Sequence, residues 1–167
     1  MTVARPGDEA AMRAALDLAA QPPTGPNSGI DVPIAALVLG PGGDMVASAT
    51  NARAAHDDPT AHAEIVAMRR AAQLLGNWRL DDHTLVVTME PCPMCAGAAR
   101  LARVGRVVFG AWNDDYGAAG SVWDVLREGR LPVKVEVVGG VLERDCAQLV
   151  KSFFQDRRGG AGIIEGV

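Results

Sequence analysis

Cysteine is scarce in this 167-residue chain, lysine scarcer still, and no long apolar run occurs. Three cysteines are too few and too odd a number for a disulfide framework, so the pair in Cys92-Pro93-Met94-Cys95 poses a metal or redox question, with Cys146 apart. No stretch approaches the about 20 apolar residues of a membrane span. The start, MTVARPGDEA, has no apolar run after its first Arg, so no secretory leader is expected and the cytoplasm is the expected address. Positive charge is also short. With 20 Asp and Glu against 16 Lys and Arg the net charge is −4, which argues against a protein coated in positive charge.

At 49% hydrophobic and 22% charged residues, the chain has the makings of one globular domain, expected over residues 1–158, with 159–167 a flexible tail rich in glycine. Met12, Ala15, Leu16 and Ala19 mark a first helix over Asp8–Ala20, with Asp8 as its expected N-cap. Gln21–Gly29, with three prolines, reads as a loop. Residues 33–39 and 44–49 flank Gly40-Pro41-Gly42-Gly43 and read as a hairpin. Pro59-Thr60 opens a helix over Ala61–Leu75 that Gly76 stops. Further strands are expected at Leu85–Met89, Val107–Phe109 and Val133–Val138. Helices are expected at Pro93–Arg103, Ser121–Arg127 and Glu143–Asp156. This order describes an α/β domain with helices on both faces of one sheet.

Two motifs carry chemistry, His62-Ala63-Glu64 and Pro91-Cys92-Pro93-Met94-Cys95, and each is expected at the mouth of a helix. Two thiolates and an imidazole are zinc ligands by type, and three protein ligands leave a fourth tetrahedral position for water, as catalytic sites do. At the first turn of a helix the thiolates lie near free N–H groups and the positive end of the helix dipole, which favours their ionised form. Glu64, two positions from His62, either holds the metal or stands beside it as a proton shuttle. Side chains two apart diverge on an ideal helix, so both serve one site only at the helix end. Such a site suits hydrolytic displacement of an amine. A redox Cys-x-x-Cys leaves His62 and Glu64 idle, and a structural zinc site needs a fourth ligand from Cys146, His56 or His83. Cys146 reads as a small buried residue, and the two histidines as structural or surface residues.

His-x-Glu followed by Pro-Cys-x-x-Cys is the signature of zinc nucleobase deaminases. The wider set is Asn51, His56 to Ile65, Thr88 to Ala98, Gly105 to Ala111 and Gly117 to Ser121. It closely resembles the bacterial tRNA-specific adenosine deaminases, densely from about Pro33 to Leu126 and again at Ser152-Phe153-Phe154 and Arg157-Arg158. The resemblance implies a cytidine-deaminase-like three-layer α/β/α sandwich around a five-stranded mixed sheet, usually a homodimer. It implies one Zn2+ per chain held by His62, Cys92 and Cys95, and Glu64 as general acid/base. Asn51 stands where those relatives contact the target nucleoside, and Ala63 is expected beside it. In the ending Phe153 to Arg158, Phe154 is expected to stack on a splayed base and Arg157 to hold phosphate, with core packing of the last helix the alternative for the phenylalanines. The implied reaction adds water at C6 of adenine and releases ammonia, giving inosine at the wobble position in the anticodon loop of an arginine tRNA, with no organic cofactor.

Three features depart from those relatives: Ala35 stands where glycine is common, Asn113 and Asp115 stand where an acid and a lysine are common, and the 21–29 loop is proline-rich. A deaminase of a free base or nucleoside such as guanine or cytosine, and a catalytically silent zinc-stabilised RNA-binding module, are the competing readings. The basic residues are unevenly spread. Residues 65–113 carry +3, against −5 before them and −2 after, through Arg69, Arg70, Arg79, Arg100, Arg103 and Arg106. Because 14 of the 16 cations are arginine, the better phosphate-pairing side chain, one local RNA footprint is expected.

Overall fold

Helix α1 (Pro6–Ala19) starts two residues earlier than the periodicity suggests. Proline at its first position needs no amide bond, and Asp8 sits one turn in, accepting from the Arg5 amide at 2.6 Å. The computed structural model describes residues 2–21, 29, 31–130 and 134–159. Most of the proline-rich loop and most of the 159–167 tail lie outside them, although Gly159 closes the last helix.

Strands β1 (Ala35–Leu39) and β2 (Met45–Thr50) form the hairpin, followed by a short helix α2 (Arg53–His56) that the sequence did not announce. The Asp31 carboxylate accounts for α2 by accepting from the amides of Ala54 and Ala55 at 3.0 to 3.2 Å. Then come α3 (Ala63–Leu75), β3 (Thr84–Met89), α4 (Pro93–Leu101), β4 (Arg106–Ala111), β5 (Glu136–Val138) and α5 (Glu143–Gly159).

The helix expected at Ser121–Arg127 is absent. Its amides are engaged elsewhere: Trp123 N–H donates to Gly117, Val125 N–H to Ala118, and Ala119 bridges Asp124. Those bonds fold 117–125 back on itself and leave no i to i−4 ladder.

The sheet is mixed and five-stranded, in the order β2-β1-β3-β4-β5. β1 runs antiparallel to β2 and β3, while β3, β4 and β5 are mutually parallel. Strand alternation separates two cores. Ala36, Val38, Leu85, Val87, Val107 and Phe109 meet α3 and α4 on one face. Leu37, Val86, Val108 and Val138 meet α1 and α5 on the other, where Met12, Ala15 and Cys146 are buried. The chain is thus a three-layer α/β/α sandwich, and the one-residue pleat decides which layer each side chain supports. At Gly110 the middle layer has no room for a methyl group: a Cβ there would lie 2.3 Å from the Cys146 Sγ, so α5 rests directly on β4.

Candidate metal centre and active site

The N-termini of α3 and α4 meet at one place. His62 is the N-cap of α3 and Cys92 the N-cap of α4, both extended, with ψ of 150° and 171°. Thr60 was the expected opening of α3. Instead the helix begins at Ala63, two residues after the expected Ala61, because Thr60 is tied to Asp58 through both its amide and its hydroxyl. That shift lets His62 and Glu64 converge, since His62 stands outside the helical register that would send the two side chains apart. Pro93 at the first position of α4 leaves Cys95 one turn in, beside Cys92.

His62 Nδ1 lies 3.7 Å from the Cys92 Sγ and 3.5 Å from the Cys95 Sγ, and the three ligand atoms lie within 4.8 Å of one another. With zinc–nitrogen and zinc–sulfur bonds of ordinary length at a tetrahedral angle, the nitrogen–sulfur edge is about 3.6 Å. The residues therefore fit a tetrahedral zinc ion. The two thiols behave as a pair. A hydrogen bond from Cys95 and another with His62 hold Cys92 down at about 4, against the pull of burial, while the same Cys92 contact and burial push Cys95 up. A divalent cation between them lets both be thiolates. Cys92 raises the proton affinity of His62 more than burial lowers it.

Glu64 is 5% exposed. Burial is the main influence on its carboxyl and moves it above the ordinary carboxylate range, with Cys92 adding to the shift and His62 opposing it. A buried carboxyl beside three metal ligands holds a proton more readily than one in water, as a group that must take and return one does.

The other residues singled out by sequence fall in separate places. Asn51 follows β2 and is half-buried, and no described group reaches its buried Oδ1. Ala63 is the first residue of α3 and fully buried. Phe154 is 42% exposed on α5 and meets Phe153 edge-on at 5.3 Å. Arg157 stacks over the Phe153 ring at 4.3 Å and donates to the Gly29 carbonyl. Of the six arginines of 65–113, two are internal. Arg106 is paired with Asp8, and Arg100 donates to the carbonyls of Val125 and Glu128. Arg79 pairs with Asp81 and Arg70 donates to the Ser48 carbonyl, so the six form no single outward stripe. His56, His83 and Cys146 stay outside the ligand group.

Fold and ligand set together define a zinc-binding hydrolytic deaminase. The chain belongs to the cytidine and deoxycytidylate deaminase family, whose zinc-binding region matches residues 6–111. It is 45% identical over 128 residues to the tRNA-specific adenosine deaminase of Bacillus subtilis (strain 168), covering 77% of this chain and 79% of that one. Among solved structures it resembles one from studies of A-to-I editing by tRNA:A34 deaminases at the wobble position of transfer RNA. That match has a TM-score of 0.75 at 33% identity and covers 84% of this chain and 98% of the other. A guanine deaminase from Nitrosomonas europaea matches with a TM-score of 0.73 at 25% identity, over 92% of this chain and 86% of the other. Among the described residues no helix is long and apolar enough to cross a membrane.

Proposed function

We propose that this chain deaminates adenosine to inosine at the wobble position in the anticodon loop of an arginine tRNA, acting in the cytoplasm as a homodimer of single-domain subunits. The deamination chemistry rests on one observation: a buried Glu64 carboxyl in the first turn of α3, where the starts of α3 and α4 bring His62, Cys92 and Cys95 together. Zinc, when bound, supplies a Lewis acid that makes water a nucleophile near neutral pH. Glu64 takes a proton from the attacking water and returns one to the amine nitrogen leaving C6, so water is consumed and ammonia released.

Substrate choice is supported by the 45% identity over 128 residues to a tRNA-specific enzyme, whereas solved guanine deaminases match at 25% and 32%. Asn51 offers a buried acceptor in need of a donor, such as a nucleoside presents. The outward exposure of Phe154 on α5 supports its stacking on an unpaired base, with Arg157 bracing the neighbouring ring. Ala63, with its side chain in the core, is left to contact substrate through its main chain. A guanine deaminase is the second reading, on the strength of the shared fold.

Incubating the protein with an arginine tRNA transcript carrying a wobble adenosine, and sequencing for inosine, separates the two. Inosine at that position is the expected outcome. Release of ammonia from free guanine with the tRNA untouched overturns the proposal.

A further inference from the structure

The backbone leading into the cysteine pair is held by a side chain outside the ligand set. Glu90 follows β3, precedes Pro91 and Cys92, and is 2% exposed. Its Oε2 accepts from the amide of Asn113 at 3.1 Å, and its Oε1 from the amides of Ala119 at 2.9 Å and Ser121 at 3.0 Å. Gly117 closes against the same carboxylate: a Cβ there would lie 2.2 Å from Oε2 and 2.0 Å from the Ser121 Oγ. The segment also grips from the main chain, for Ala118 N–H donates to the Pro91 carbonyl at 2.8 Å. Residues 113–121 thus hold position 90 by its side chain and position 91 by its carbonyl, and position 92 follows directly as the N-cap of α4. Donors address both carboxylate oxygens, so an amide in place of the acid sets an NH2 group against at least one N–H.

We infer that Glu90 is a positioning residue for the zinc site: by clamping 113–121 onto Pro91 it fixes where α4 begins, and hence where Cys92 and Cys95 stand relative to His62. The inference depends on the zinc site alone and holds whichever base is deaminated. Groups that orient ligands from behind commonly change metal affinity by about 10–100-fold when removed.

The test is zinc affinity, measured on the full chain by competition with a chelator. The variants are Glu90→Gln, Gly117→Ala from the opposite side of the clamp, and Val86→Ala, which trims the core on the far face of the sheet. Glu90→Gln and Gly117→Ala are expected to bind zinc about 10–100-fold more weakly. Val86→Ala is expected to bind as the parent does. Cobalt-loaded Glu90→Gln is expected to keep its thiolate charge-transfer absorption with shifted ligand-field bands. Parental affinity in Glu90→Gln, or an equal loss in Val86→Ala, overturns the assignment. So does insolubility of both clamp variants where Val86→Ala folds, since the clamp then holds the fold and not the ligands.

Discussion

Among single residues, Glu64 is the one whose removal is expected to separate chemistry from metal binding. Glu64→Ala is expected to keep one zinc per chain and a parental circular dichroism spectrum, while inosine formation falls by about 10²–10⁴-fold, the usual worth of a positioned acid/base group. Zinc loss in that variant would make Glu64 a ligand. Cys92→Ala, by contrast, is expected to lose metal and activity together, checked by metal analysis of the purified protein. His62, Cys92, Cys95 and Glu64 were legible in the sequence because thiol, imidazole and carboxyl at that spacing have few other joint uses. Glu90 and Asp31 were not. A carboxylate that caps a distant backbone shows its purpose only once its donors, 23 to 31 residues away in chain order, have been placed beside it. Arg100 and Arg106 misled for the same reason, since sequence shows a cation and hides the internal carbonyls or acid that consume it.

At the scale of elements, the legible ones carry their own punctuation. α3 ends at Gly76 in the left-handed region, with φ of 62°, where its amide closes the last turn. A Cβ at Gly76 meets nothing within 4 Å, so Gly76→Ala isolates backbone strain. It is expected to cost about 1 kcal/mol in urea unfolding and leave zinc content unchanged. A loss several times larger would point to a contact beyond the backbone. β1 was legible as an interior strand because it is apolar throughout, as a strand covered on both faces must be. The Ser121–Arg127 segment was expected to be a helix, yet its bonding is decided by Gly117 and Ala118, whose carbonyls take the amides that a helix would need. Such a fold-back, set by bonds to residues outside the segment, leaves no mark in its own residue pattern. The start of α3 was misplaced by a smaller effect of the same kind, the tie between Thr60 and Asp58.

Across the whole molecule, α1 is fastened to the sheet by a buried ion pair. Arg106 on β4 meets both Asp8 oxygens, at 2.6 and 2.7 Å, with Glu136 3.2 Å from its Nε. Burial pulls the Asp8 carboxyl upward, but the Arg106 guanidinium and the Arg5 amide outweigh it and hold the group below 3.8. A lowered carboxyl contributes stability that is fully present above its unfolded value and disappears as pH falls through its folded one. Asp8→Asn is therefore expected to cost about 3 kcal/mol at pH 7, because Arg106 stays buried with a poorer partner. The gap from the parent is expected to close in acid below pH 4, read from urea midpoints across pH. A gap independent of pH would assign the loss to packing.

His62 and Cys92 are separated by 30 positions, and the chain between them makes up α3 and β3. Joining them through a common ion turns that stretch into a closed ring, a staple that can be withdrawn without breaking a covalent bond. Only one outer layer of the sandwich is stapled. α1 and α5 belong to no such ring, so drawing out the ion relaxes the molecule from one side, reopening the loop whose closure had narrowed the choices of α3 and β3.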